Sequence, residues 1–81
     1  MSTSVPSLET EALASEVWCD HERLHVLLAD GREVATPLAW FPRLAGGTRQ
    51  QRSNWRLIGG GIGVHWPDLD EDIAVATLLK A

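Results

Sequence analysis

Hydrophobic residues along this chain fall in short clusters separated by glycine, proline and acidic residues, the pattern of brief strands joined by tight turns. Val17-Trp18-Cys19 is the first cluster, and Leu24-His25-Val26-Leu27-Leu28 follows after the polar link Asp20-His21-Glu22-Arg23. These two read as a hairpin. Asp30-Gly31 then separates the second cluster from Glu33-Val34-Ala35-Thr36, and because both turn residues tolerate positive φ, another hairpin is predicted there. The first half is therefore expected to be a three-stranded antiparallel meander.

Pro37 withholds a backbone donor and is expected to end the third strand. The segment Leu38-Ala39-Trp40-Phe41-Pro42-Arg43-Leu44 predicts a short helical turn whose Trp40, Phe41 and Leu44 cover the meander. Thr48 and Gln51 stand at capping-box spacing, which predicts a helix from about Arg49 to Asn54. Leu57-Ile58 and Ile62-Gly63-Val64-His65-Trp66 flank Gly59-Gly60-Gly61 and predict a C-terminal glycine hairpin. Pro67 closes it, Asp68 to Asp72 makes an acidic corner, and Ala74 to Lys80 is read as a last helix with Asp70 or Glu71 at its start. The alternation Ile73, Val75, Thr77, Leu79 leaves a strand as the other reading of that end. Ser7 to Ala14 is read as one helical turn inside a frayed segment, residues 1–14, ahead of a single α+β domain over residues 15–81.

Composition narrows the class. With 81 residues, one domain is expected, near the lower limit for a self-sufficient apolar core. A hydrophobic fraction of 44% suits a globular fold, and Trp40, Trp55 and Trp66 are expected to supply much of its core. No apolar run approaches the length of a membrane-spanning helix. The start Met1-Ser2-Thr3-Ser4 lacks a secretory pattern, and one cysteine cannot form an internal disulfide, so a cytoplasmic protein is expected. A net charge of −4 argues against general nucleic-acid binding.

Candidate chemistry is sparse. Gly59 and Gly61 start a GxGxxG pattern whose last position is Val64, and no P-loop lysine follows, so a hairpin turn is preferred to a phosphate site. Asp68, Asp70 and Asp72 alternate like calcium-loop ligands, but Ile73 and Leu79 occupy the positions where glycine and a bidentate glutamate are required. Cys19, His21, His25 and His65 do not match a zinc-finger spacing, and Cys19 in an apolar strand is read as a small hydrophobe. No cofactor and no metal are expected. Arg49, Arg52 and Arg56 recur at helical spacing as one basic stripe, with Arg43 just before it. The candidate interaction surface is Arg43, Arg49, Arg52 and Arg56 together with Asp68, Asp70, Glu71 and Asp72, meeting each other or a partner.

Asp30-Gly31-Arg32, the run from Pro37 to Leu44, Gln51-Arg52, Asn54-Trp55 and the run from Gly61 to Ile73 resemble the signature of a widespread bacterial domain family of unknown function. The resemblance spans about Ser15 to Leu79. It implies a small α+β fold, a sheet packed by short helices, occurring alone or followed by a helix-turn-helix. It also implies gene neighbourhood with another small uncharacterised family, read as a toxin–antitoxin arrangement. No helix-turn-helix pattern lies within these 81 residues, so a DNA-binding role is not expected from it. The resulting expectation is a non-enzymatic protein-interaction module, antitoxin-like, with a small protein partner or a second copy of itself. The alternative is a nucleic-acid-associated regulator using the arginine stripe.

Overall fold

The computed structural model describes residues 12–80. Its first half is the expected antiparallel meander: β1 (Ala14–Cys19), β2 (Arg23–Leu28) and β3 (Glu33–Pro37), in that order across the sheet. Asp20 closes the first turn, its Oδ1 accepting the backbone N–H groups of Glu22 at 2.7 Å and Arg23 at 2.6 Å. Gly31, at φ 96°, closes the second. Alternation sends Val17, Leu24, Val26 and Thr36 inward, while Glu16, Trp18, His25, Glu33 and Ala35 share the outer face. The helical turn expected over Ser7 to Ala14 lies mostly outside the described residues; Ala12 and Leu13 are irregular and Ala14 opens β1.

A 3-10 turn over Leu38–Trp40 runs into α1 (Pro42–Ala45). A 3-10 turn brings residues three apart onto one side, so Leu38 and Phe41 lie against the core, and Leu44 joins them. Trp40, which the pattern placed over the meander, is thereby turned out and is 54% exposed. The predicted capping box is present: Gln51 N–H donates to Thr48 Oγ1 at 3.0 Å and Thr48 N–H to Gln51 Oε1 at 2.9 Å, opening α2 (Arg49–Ser53).

β4 (Arg56–Ile58) and β5 (Gly63–Trp66) form the expected glycine hairpin, but a third strand, β6 (Glu71–Ala74), adds to β5 and makes a second antiparallel sheet. Glu71 and Asp72 therefore belong to a strand, and the final helix, α3 (Val75–Leu79), begins after them with no acidic residue in its first turn and no side-chain cap. Asp70, at φ 52°, accounts for the difference. Aspartate tolerates the left-handed region, and there it redirects the chain out of the Pro67–Asp70 turn so that the next four residues pair with β5 instead of starting a helix.

The two sheets share one core. Val17, Leu24, Val26 and Leu28 of the first meet Val64, Trp66 and Ile73 of the second, with Leu38, Leu44, Val75 and Leu78 sealing the ends. Trp66 is fully buried and its Nε1–H donates to the Arg52 carbonyl at 3.0 Å, tying β5 to α2. Gly61 joins the sheets elsewhere: its carbonyl accepts Ala14 N–H at 2.8 Å, and a Cβ at this position, with φ 116°, would lie 2.5 Å from the Ala14 carbonyl oxygen. Only glycine permits that approach. Among the described residues no helix is long and apolar enough to cross a membrane.

Candidate functional site

The expected arginine stripe does not form. α2 ends at Ser53, so Arg56 is the first residue of β4, paired with His65, on a different element from Arg49 and Arg52. Arg52 is tied back, with Nη2 donating to the Gly47 carbonyl at 2.8 Å and Nε at 3.3 Å. Among the described residues, arginine ion pairs belong to Arg32 and Arg43, and Arg49 has none.

The acidic corner is divided among three partners. Asp68 accepts from Asn54 Nδ2 at 3.0 Å, Asp72 pairs with His65 across the strands, and Arg43 lies 3.8 Å from the Asp70 carboxylate and 3.9 Å from that of Glu71. Arg43 also donates to the Asp70 carbonyl, so it and the corner do meet within the fold. With Arg43 62% and Asp70 96% exposed, that pair is solvent-screened and fixes the turn only weakly. Among the described residues no three histidine, cysteine, aspartate or glutamate side chains converge as metal ligands would.

What the fold does assemble is a cleft of about 470 Å³ between the end of β1 and α2. Val17, Trp18, Cys19, Asp20 and His21 form one wall; Arg49, Arg52, Ser53 and Trp55 form the other. Trp18 is 39% exposed, whereas Trp55 is half-buried and packs against the core. Burial pushes the Cys19 thiol above its ordinary pKa, and Asp20 adds to this, while the Arg52 charge partly offsets it.

Behind Trp18 lies a histidine cluster on the outer face of the first sheet. His25 is the cross-strand neighbour of Trp18, and the rings stack in parallel with centroids 5.3 Å apart. His25 Nε2 meets Asp20 Oδ2 at 2.8 Å and Nδ1 meets Glu33 Oε2 at 2.7 Å. Two carboxylates on the two ring nitrogens require both nitrogens to donate, which favours imidazolium. Hydrogen bonds to Asp20, then to Glu33, accordingly raise the His25 pKa, and the His25 and backbone N–H bonds depress that of Asp20 strongly. The cluster fixes the plane of Trp18 and so the shape of one cleft wall. The sequence held a signal for it: Asp20 and Glu33 sit at the two turns that bracket the His25 strand.

Two meanders packed on one core, with short helices and a cleft at the end of the first strand, define a small α+β domain. Residues 14–81 match the family described as Protein of unknown function (DUF2442), and the chain belongs to that family. The fold is similar to that of a protein of unknown function from Rhodospirillum rubrum, at 29% identity and a TM-score of 0.75 over 86% of this chain and 87% of that one. It is also similar to an uncharacterized protein from Chromobacterium violaceum, at 18% identity and a TM-score of 0.73 over 99% of this chain and 83% of that one. No curated protein matches the chain.

Proposed function

We propose that this protein is a non-enzymatic interaction module of the cytoplasm that binds a small partner protein through the cleft between β1 and α2. The observation that carries this reading is the placement of Trp18, exposed and stacked on His25, in the lining of one cleft with Trp55 and an arginine without an ion-pair partner among the described residues. Tryptophan and arginine are the residues that most often anchor protein interfaces, and an anchor ordered before binding loses less entropy on docking. The bacterial family resembled by the motifs implies a partner encoded nearby, in an antitoxin-like arrangement. Two further features favour a binding role over a catalytic one. Burial raises the Cys19 pKa, and both His25 nitrogens are already engaged by carboxylates, so these two residues are not arranged as nucleophile and base for each other. The divergence of Arg52 and Arg56 weighs against the nucleic-acid alternative.

The test is capture of proteins on the tagged full-length chain in its native host, identification by mass spectrometry, and titration of the purified partner back onto the purified chain. Trp18→Ala is expected to weaken the rebinding by about tenfold or more while leaving the melting temperature near wild type. Rebinding that ignores Trp18→Ala, or the failure of any captured protein to rebind, contradicts the proposal.

A further inference from the structure

We infer that the cleft selects an acidic segment of its partner, a carboxylate side chain docking on Arg49 with an apolar neighbour laid against the Trp18 and Trp55 indoles. This rests on the reading of the protein as an interaction module and names the chemistry that module recognises.

Charge complementarity carries it. The chain as a whole has a net charge of −4, yet the cleft lining holds two arginines against one aspartate. That aspartate is committed elsewhere: Asp20 accepts from His25 at 2.8 Å and from the backbone N–H groups of Glu22 and Arg23. Its charge is therefore partly offset on the side of the sheet by a histidine it shares with Glu33, and in the cleft two guanidinium groups face this one engaged carboxylate. Arg52 is anchored on the Gly47 carbonyl, so its position is fixed, and it lines the same cleft as Arg49. Arg49 has no carboxylate beside it among the described residues and can turn towards an incoming one. The indoles on either side supply apolar area for a neighbouring side chain. A volume of about 470 Å³ admits side chains of a segment and not a folded surface. A nucleic-acid strand suits the site less well. It brings a charge at every nucleotide and would run past Asp20 with two arginines of the lining to meet it.

Cys19 provides a direct reporter, because it is the one cysteine of the chain and it lines the cleft. The experiment measures its alkylation rate by iodoacetamide, read by intact mass, on the full chain with increasing capped peptide SDFEFDS in low salt. The controls are SNFQFNS, SKFKFKS and an oligothymidine. SDFEFDS is expected to slow alkylation saturably, and SNFQFNS to bind about three- to tenfold more weakly, the range of a partly exposed charge-assisted contact. Arg49→Gln, a surface change expected to leave the melting temperature unaltered, should erase the difference between the two peptides. Equal protection by SNFQFNS or SKFKFKS, stronger protection by oligothymidine, or no protection by SDFEFDS overturns the inference. A natural partner that needs Trp18 but is indifferent to Arg49→Gln and to salt also overturns it, while leaving the interaction module standing.

Discussion

Trp66 is the side chain on which the joint between the two sheets depends, and replacing it separates burial from mere aromaticity. It is fully buried, and its Nε1–H meets the Arg52 carbonyl at 3.0 Å, whereas Trp40 is 54% exposed. Truncating a buried tryptophan to alanine costs about 3–5 kcal/mol through lost transfer energy and the cavity left behind. Leaving the Arg52 carbonyl without its donor adds about 1 kcal/mol. Domains of this size have a total stability of roughly 4–12 kcal/mol, and each kcal/mol moves the melting temperature by about 4–8 °C. Trp66→Ala is therefore expected to lower the midpoint by about 15 °C or more, or to leave the chain unfolded at room temperature. Trp66→Phe keeps most of the volume and should fall between wild type and Trp66→Ala. Trp40→Ala should stay within about 0.5 kcal/mol of wild type. Thermal and urea melts followed by circular dichroism decide it. A Trp66→Ala midpoint within a few degrees of wild type, or a Trp40→Ala variant less stable than Trp66→Ala, refutes the assignment of the core.

Three other outcomes follow from particular contacts. The raised pKa of His25 gives stability that is complete below its unfolded value, about 6.5, and is lost as pH rises through the folded value. The depressed pKa of Asp20 gives stability present above about 3.9 and lost as pH falls through its folded value. Melting midpoints of wild type should thus decline from about pH 6 towards pH 8 more steeply than those of His25→Gln; parallel curves would remove His25 from the account. Gly61→Ala forces a Cβ to 2.5 Å from the Ala14 carbonyl oxygen at a φ of 116°, so urea melts should show a loss of more than about 2 kcal/mol, while Gly60→Ala, with open space around it, should cost less. Thr48→Ala removes half of the capping box and should cost about 1 kcal/mol in the same assay, an effect that Thr48→Ser largely avoids.

Local chemistry was legible in the sequence, and long-range geometry was not. Asp30-Gly31 and the Thr48/Gln51 pair are short-range devices; the predicted hairpin and helix start both form, although in the turn only Gly31 takes positive φ and Asp30 does not. The acidic corner misled because Asp70-Glu71-Asp72 reads as a helix start by charge alone. What decided it was pairing with β5, reached through a left-handed Asp70. Ile73 then takes the inward position of a strand, while Val75 and Leu78, three apart, take those of a helix; one alternating pattern had concealed two elements. Trp40 was misplaced because hydrophobicity was read without the 3-10 geometry that puts Leu38 and Phe41 inward. Arg56 continued a helical spacing in the sequence beyond the point where the helix itself stops. The cleft could not be seen at all, since its walls come from residues 17–21 and 49–55, brought together only by packing α2 against β1.

The measurement that bears most directly on the interaction reading is the footprint of the captured natural partner on this chain, mapped by amide hydrogen exchange with and without saturating partner. Protection concentrated in residues 17–21 and 49–55, and lost in Trp18→Ala, is the predicted result. Protection confined to the glycine turn around Ile58 and Ile62, or to the segment around Trp40, with the cleft exchanging as in the free protein, would contradict it.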